Sequence, residues 1–241
     1  MDKLLAMRLG AMASAWSEQQ QNADVVALPF DERLAMLVDA EWMARENKRF
    51  SRALKEAKLR IAEASVEGID YPPRRELDKA VVRQLGSCAW VAQHQVVILS
   101  GATGTGKTYV SCALAQHACR KGFRAMYRRA PRFFDELRLA RADGSYPRLL
   151  SRIARVDVLV IDDFAIAPIT ETERRDLLEV LEDRYGNRAT VITSQLPPER
   201  WHDYLADPTL ADAICDRVLH GAHKLALKGP SRRKDKEGKN A

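Results

Sequence analysis

A glycine-rich loop between an apolar strand and a helix constrains the fold of this chain more than any other feature. In the stretch VVILSGATGTGKTYVSCALAQHACRKG, the apolar strand at 96–100 precedes Gly101. Four residues then separate Gly101 from Gly106, Lys107 and Thr108. Glycines let backbone N–H groups wrap around phosphates, and the helix contributes the positive end of its dipole. The strand-loop-helix arrangement predicts a phosphate-binding loop in an α/β nucleotide-binding fold.

The residues of this loop have separate predicted roles. Lys107 is expected to reach the β- and γ-phosphates of ATP, and the hydroxyl of Thr108 is expected to hold Mg²⁺. A plain glycine-rich turn is the alternative, and it is disfavoured because the motif is complete and has both its strand and its helix. The predicted nucleotide-contacting residues are Gly101, Ala102, Thr103, Gly104, Thr105, Gly106, Lys107, Thr108 and Tyr109.

Two adjacent carboxylates follow a second apolar strand, VDVLVIDDFAIAP at 156–168. Such a strand is typical of a parallel sheet covered by helices, and ligands bind at the carboxyl ends of its strands. Paired acids repel each other unless a cation compensates them. We therefore predict that Asp162 binds Mg²⁺, directly or through water. Asp163 is predicted to polarise the attacking water as a general base, with capping of the following turn as its alternative role.

Two further polar side chains are catalytic candidates. Gln195 ends the strand ATVITSQL, which should lie beside the strand of the two aspartates, so that it touches the γ-phosphate and its water. Hydrogen bonding in a strand-to-helix turn is the alternative for Gln195. Arg217, near the end of the helix LADAICDRVLH, would reach the ATP of a neighbouring subunit and neutralise transition-state charge there, which requires an oligomer. The alternative for Arg217 is an internal salt bridge with Asp212, Asp216 or Glu199.

The positive charge of the chain, +6 in total, is concentrated in its flanks. From Arg45 to Arg60 there are seven basic and two acidic residues. Basic residues that recur every three or four positions form one face of a helix, which suits the phosphates of a DNA duplex without reading its sequence. A solvated helix surface is the alternative. The predicted DNA-binding residues are Arg45, Lys48, Arg49, Arg52 and Lys55.

Aromatic and basic residues alternate in a second stretch, YRRAPRFFDELRLAR. Phe133 and Phe134 stand there among five arginines. Arginines beside aromatic rings suit contacts with nucleic acid. Burial of both rings in the protein core is an equal alternative.

The pattern of the 241 residues predicts an all-α N-terminal domain followed by an α/β core. Gly68, Pro72 and Pro73 mark the boundary between them. No secretion leader and no membrane-length apolar run is present, which predicts a cytoplasmic protein without membrane contact. We predict parallel strands at about 96–100, 123–127, 156–161, 189–194 and 224–227. The predicted domains are a DNA- or partner-binding helical domain at 1–66, an ATPase domain at 67–229 and a basic flexible tail at 230–241.

Beyond these motifs, the chain resembles the IstB-like transposition helper ATPases of bacterial insertion sequences, which are relatives of the DnaC helicase loaders in the AAA+ class. The similarity extends over essentially the whole sequence. The phosphate loop is common to many families, whereas TSQLP followed by WH and DPTLADAI is far more specific. The stretches that carry the resemblance are RLGAMASA, EWMARENKRFSRALKEAKLR, GATGTGKTYVSCALAQHACR, DVLVIDDFAIAPI, RRDLLEVLEDRY and TVITSQLPPERWHDYLADPTLADAICDRVLHGAHKLALKG.

The resemblance implies a three-layer P-loop NTPase with an AAA+ core. It also implies an ATPase that assembles on double-stranded DNA, deforms the duplex and delivers it to a partner transposase. Asp162 and Asp163 take the Walker B positions, Gln195 the sensor-1 position and Arg217 the arginine-finger position. Most AAA+ proteins carry glutamate and asparagine in place of Asp163 and Gln195, so hydrolysis is expected to be slow.

The C-terminal lid of the AAA+ class is predicted to be much reduced, because about a dozen residues follow the last predicted strand. A sensor-2 role for Arg233 is correspondingly doubtful. Three other functions share some of these features. A small-molecule kinase needs a lid and an acceptor pocket, a nucleic-acid adaptor would use the nucleotide only as a structural switch, and a DnaC-like helicase loader shares the core motifs but not the N-terminal region.

Overall fold

The computed structural model describes residues 1–231, and the chain divides after Arg52 into two compact units. The first unit is helical, as expected. The helices of this unit are α1 (Asp2–Ala6), α2 (Gly10–Gln21), α3 (Ala23–Val26) and the long α4 (Phe30–Ala57), whose last residues belong to the second unit.

The long helix α4 is anchored within the first unit by a buried carboxylate. Glu41 accepts hydrogen bonds from the backbone N–H groups of Ala11 and Met12, at 3.0 and 3.1 Å, and so caps the first turn of α2. Its other oxygen accepts from Arg45 at 2.8 Å. The negative charge therefore sits at the positive end of the α2 dipole, where it is stabilising.

The prediction of helix throughout residues 1–66 is wrong for its last part. Helix α4 ends at Ala57, and the backbone of Lys58 is left-handed, with φ of +52°. A non-glycine residue in this conformation cannot continue a right-handed helix. Residues 58–66 are consequently an irregular segment of the second unit, although their sequence contains no helix-breaking glycine or proline. The functional boundary at residue 66 stays a prediction.

The second unit alternates helices and strands. A 3₁₀ turn at Pro73–Arg75 comes before its first complete helix, and another at Pro198–Arg200 comes before α11. The strands are β1 (Val96–Ser100), β2 (Ala125–Arg129), β3 (Val158–Phe164), β4 (Ala189–Ser194) and β5 (His223–Ala226). The helices are α5 (Lys79–Leu85), α6 (Ala89–Ala92), α7 (Lys107–Arg120), α8 (Ala130–Ala142), α9 (Tyr146–Arg155), α10 (Glu171–Arg184), α11 (Trp201–Leu205) and α12 (Pro208–Leu219).

The five strands form one parallel sheet in the order β2-β3-β4-β1-β5. This confirms the predicted α/β fold, a three-layer P-loop NTPase with a five-stranded parallel sheet. Strands β1 and β4 have their predicted bounds, whereas β2 and β3 begin two residues later than expected and β5 one residue earlier. The order places β4 between β1 and β3, so that the phosphate loop after β1 and the aspartates of β3 meet at one edge of the sheet.

The core of the second unit lies between the sheet and its helices. Phe133 and Phe134 of α8 are 1% and 6% exposed and pack among the buried residues of this core. Of the two alternatives for these rings, core packing is therefore the correct one. The stretch contributes packing rather than exposed stacking surfaces for bases.

The last described residues, after β5, contain no helix. The predicted tail begins within them at residue 230, while Arg233 and the rest of the tail lie outside the described part of the chain. Within residues 1–231, no helix combines the length and the apolar character needed to cross a membrane.

Candidate nucleotide-binding site

The glycines of the phosphate loop adopt conformations that other residues rarely reach. Gly101 has φ of +143°, and a Cβ atom there would lie 2.1 Å from the carbonyl oxygen of Leu227. Gly104 and Gly106 have φ of +85° and +97°. Side chains at these positions would strain the backbone or collide with it. The backbone conformation of the loop therefore requires glycine at these three positions.

Lys107 lies at the first position of α7, and its side chain turns back into the loop. Its Nζ donates to the carbonyl oxygens of Gly101 and Ala102 at 2.6 and 2.9 Å, and the residue is only 6% exposed. The loop therefore holds an ammonium group in a buried position beside its backbone. A phosphate bound by the loop would accept hydrogen bonds from this ammonium group in place of the two carbonyl oxygens.

Asp162 is the polar centre of the site and is fully buried. Its carboxylate accepts hydrogen bonds from three hydroxyl groups: Thr108 Oγ1 at 3.1 Å from both oxygens, Tyr127 OH at 2.5 Å and Thr193 Oγ1 at 2.5 Å. These side chains come from α7, β2 and β4, while Asp162 is on β3. Burial, together with this hydrogen bond to the carboxylate, raises the pKa of Tyr127, so its hydroxyl stays protonated as a donor.

Asp163 stands where β3 departs from regular pairing. The register between β3 and β4 shifts between Ile161 and Phe164, and Asp163 has φ of +59°. Its carboxylate accepts from Arg129 Nε at 2.7 Å, and Arg60 Nη1 lies 3.8 Å from one oxygen of each aspartate. Asp162 is thus held by three hydroxyl groups and Asp163 by Arg129, with Arg60 near both, which explains how like charges share one strand end.

The residues present fit a magnesium ion and a nucleotide. A threonine hydroxyl and a carboxylate are oxygen ligands of the kind that Mg²⁺ prefers, and here they touch each other next to the phosphate loop. A cavity of about 360 Å³ also adjoins the loop at Thr105. Its other lining residues are Asp70, Pro72, Arg74, Arg75, Lys228, Gly229 and Pro230.

Comparison with known proteins decides the family. A model of the family described as "IstB-like ATP binding protein" matches residues 2–240. The chain belongs to the IstB-like ATP-binding proteins. It shares 42% identity over 240 residues with an insertion-sequence ATP-binding protein of Sinorhizobium fredii, covering 100% of this chain and 98% of the relative. A second relative, the ATP-binding protein of insertion sequence IS1162 from Pseudomonas fluorescens, is 45% identical over 197 residues, covering 82% and 85%.

Solved structures share the fold of this IstB-like chain. The DnaC helicase loader superposes with a TM-score of 0.57 at 19% identity, covering 68% of this chain and 97% of that one. At this identity the likeness concerns the fold alone. Together, fold and family identify the IstB-like chain as an ATPase, in agreement with the sequence prediction.

In this IstB-like protein, Thr193 rather than Gln195 makes the contact from β4 to the aspartates. Thr193 donates to Asp162 and accepts from the backbone N–H of Asp163 at 3.0 Å. Gln195 lies exposed just beyond the strand. A threonine inside an apolar strand is the signal that would have pointed to Thr193. A role of Gln195 at the γ-phosphate stays a prediction.

Arg217 forms an internal salt bridge, although not with any acid considered from the sequence. Its guanidinium donates to Glu182 Oε1 at 2.5 Å and to the carbonyl oxygen of Ala213 at 2.7 Å. The sequence singled out nearby acids, whereas the partner comes from α10, which packs against α12. Its role towards a neighbouring subunit stays a prediction, and that role requires the pair with Glu182 to open.

Three arginine and tyrosine residues of the IstB-like site were missed by the sequence analysis. Tyr127 and Arg129 lie on β2, next to β3, and their contact with the aspartates follows once the strand order is known. Arg60 was counted only within the basic run, but its guanidinium pairs with the aspartates. The other nucleotide candidates lie as expected in the loop, with Ala102 and Thr103 exposed and Tyr109 in the first turn of α7.

Proposed function

We propose that this protein is an ATP-dependent DNA-binding helper of DNA transposition. In this role it assembles on duplex DNA as a homo-oligomer, remodels the duplex and stimulates a partner transposase, with ATP hydrolysis as the switch. The observation that carries the proposal is the Thr108–Asp162 pair beside the phosphate loop, in a chain whose relatives are named as insertion-sequence ATP-binding proteins. Its location is proposed to be cytoplasmic, without a membrane partner.

Nucleotide binding is proposed to use the loop backbone, Lys107 and the cavity beside Thr105. Thr108 and Asp162 would hold Mg²⁺, which when bound supplies positive charge to the β- and γ-phosphates. Lys107 would leave the loop carbonyls to bind the same phosphates, and the adjacent cavity has room for a base and sugar. Thr108 then acts as a ligand rather than as a donor to the carboxylate.

Hydrolysis is proposed to depend on Asp163, Gln195 and Arg217. Asp163 would accept a proton from the attacking water, and Gln195 would orient that water against the γ-phosphate. Arg217 would neutralise charge on the ATP of a neighbouring subunit. Because that arginine comes from another copy, hydrolysis is expected to depend on assembly.

DNA binding is proposed for the basic face of α4. Its five predicted residues are exposed, which leaves their guanidinium and ammonium groups within reach of phosphates. Arg45 and Arg49 also pair with Glu41 and Glu46 in their own helix, at 2.8 and 3.1 Å. The Arg49–Glu46 pair is exposed and weak, so a phosphate can compete for Arg49. Arg45 is itself exposed but would have to leave the buried carboxylate of Glu41. The proposed residues are Arg45, Lys48, Arg49, Arg52 and Lys55.

The second candidate function is loading of a replicative helicase, which the similarity to the DnaC helicase loader favours. The two functions differ in the nucleic acid and the partner. A transposition helper should prefer duplex DNA and stimulate the transposase encoded with it. A helicase loader should instead bind a hexameric helicase in the absence of any transposase.

The test of the proposed function is duplex-DNA binding by the purified protein without nucleotide, with ADP, with ATP and with a non-hydrolysable ATP analogue. Particle mass is followed in the same samples. We expect tight, cooperative, sequence-tolerant binding and a large assembly only with ATP or its analogue, since many weak phosphate contacts then add together. Equal mass and equal affinity in all four conditions would contradict the proposal.

Reversing the charge of Arg49 and Arg52 to glutamate is expected to weaken duplex binding by at least tenfold, on the order of the loss from removing several phosphate contacts. The slope of log affinity against log salt concentration should also become smaller, while basal ATPase activity stays unchanged. Fluorescence anisotropy across a salt series measures both quantities.

The matched control for this double variant reverses Arg175 and Arg200, whose side chains are 68% and 67% exposed. The control changes the net charge by the same amount at sites away from α4. If both double variants change the salt slope equally, the effect comes from the total charge of the protein. The basic face of α4 would then be a solvated surface and not a DNA-binding one.

A further inference from the structure

We propose that Arg60 is a positioning residue of the ATP site that competes with Mg²⁺ for the two aspartates. The proposal rests on the magnesium site of the proposed function. It assigns to Arg60 a role distinct from the DNA-binding residues of the same basic run, because Arg60 meets the carboxylates of the site.

The geometry places one guanidinium against both acids at once. Arg60 Nη1 lies 3.8 Å from Oδ2 of Asp162 and 3.8 Å from Oδ2 of Asp163. The hydroxyl of Tyr127 donates a hydrogen bond to the same carboxylate of Asp162 at 2.5 Å. Arg60 therefore shares Asp162, the proposed metal ligand, with the Tyr127 hydroxyl.

The carboxylates of Asp162 and Asp163 already face two positively charged arginines. Arg129 pairs with Asp163 at 2.7 Å, and Arg60 adds a second positive charge beside the same two carboxylates. A magnesium ion on Asp162 would bring two further positive charges next to Arg60. Since like charges at this range repel each other strongly, Arg60 lowers the affinity for the metal unless it moves away.

The side chain of Arg60 is less confined than the carboxylate of Asp162. Its side chain is 46% exposed, whereas that of Asp162 is fully buried. The residue belongs to the irregular segment 58–66, which follows α4 directly along the chain. Binding of the metal–nucleotide pair is therefore expected to displace Arg60 and loosen the segment that follows the DNA-binding helix.

The test compares wild type with Arg60→Gln, using Mn²⁺ as a spectroscopic substitute for Mg²⁺. Electron paramagnetic resonance measures the binding of Mn²⁺ in the presence of a non-hydrolysable ATP analogue and without DNA. We expect Arg60→Gln to bind Mn²⁺ about tenfold more tightly, the size of effect produced by one nearby charge. Arg60→Lys, which keeps the charge but not the guanidinium fork, should fall between the two. Unchanged or weaker binding by Arg60→Gln would overturn the proposal, and weaker binding would indicate a phosphate contact.

A second readout follows the segment itself. Hydrogen exchange of residues 58–66 should increase in wild type when metal and analogue are added, and should already be increased in Arg60→Gln without them. Arg175→Gln, which removes an arginine from an exposed pair on α10, serves as the matched control for both measurements. Equal exchange in wild type with and without metal would also overturn the proposal.

Failure of this inference is distinguishable from failure of the proposed function. Metal and nucleotide binding by wild type without any effect of duplex DNA would contradict the DNA helper and leave the competition intact. Normal ATP-dependent DNA binding with identical Mn²⁺ affinity in Arg60→Gln would contradict the competition alone. A wild-type protein that binds no metal–nucleotide pair would contradict both.

Discussion

Replacement of Lys107 by alanine is expected to abolish ATP binding and ATP-dependent DNA binding together. The buried ammonium is the positive charge that the phosphate loop keeps beside its backbone, and a methyl group supplies neither charge nor donors. Loss of a preorganised charge at a reacting phosphate costs on the order of a hundredfold or more in turnover. Calorimetric titration with ATP, steady-state ATPase assays and duplex binding measure the three effects.

Lys121 provides the control for this prediction, because it is an exposed lysine at the other end of the same helix. Lys121→Ala should behave as wild type in all three assays. The thermal unfolding temperature of both variants must be compared as well, since Lys107 also bonds to the loop carbonyls. Equal DNA affinity of wild type and Lys107→Ala, with and without ATP, would refute the coupling between nucleotide and DNA.

Asp163→Asn is expected to separate binding from hydrolysis. An amide of the same shape keeps the position in the bulge of β3 but cannot take a proton from water. Turnover should fall by about a hundredfold or more, the range assigned to a general base, while ATP affinity and ATP-dependent DNA binding persist. The ATP-bound assembly should then outlive that of wild type, which particle mass measured over time would detect.

The comparison variant is Arg129→Gln, which breaks the same ion pair from its other side and keeps the carboxylate. Turnover in Arg129→Gln should exceed that of Asp163→Asn by at least tenfold, a difference that isolates the proton acceptor from the ion pair. Similar losses in the two variants would mean that the ion pair, rather than the basicity of Asp163, supports hydrolysis.

The fold was largely predictable because its signals are local. The apolar runs that became β1 and β4 are each bounded within a few residues, and the loop after β1 carries its complete motif in one stretch. The sequence also predicts that the strand of Gln195 lies beside that of the two aspartates, and β4 does pair with β3. Helix α4 ends earlier than predicted, at Ala57, because nothing in the sequence indicates the left-handed backbone conformation of Lys58.

The partners of the aspartates were harder to predict because they are brought together only by tertiary structure. Tyr127 and Thr193 reach Asp162 from neighbouring strands. Tyr127 lies outside the motifs quoted above, and in TSQLP the predicted contact was Gln195 rather than Thr193. Arg60 looked like part of a solvated or DNA-binding run until its contacts were known. Gln195 comes two residues after Thr193 and lies beyond the end of β4, where its amide is exposed.

The strand order also bears on how the protein is made. Val96 of β1 pairs with Thr190 of β4, so the middle of the sheet joins segments that leave the ribosome far apart in time. Pairings of such long sequence separation form late in folding. A nascent chain that ends before β4 already contains the whole phosphate loop and both carboxylates. It lacks the strand that joins them in the finished sheet. Unfinished chains are therefore expected to lack the complete aspartate site.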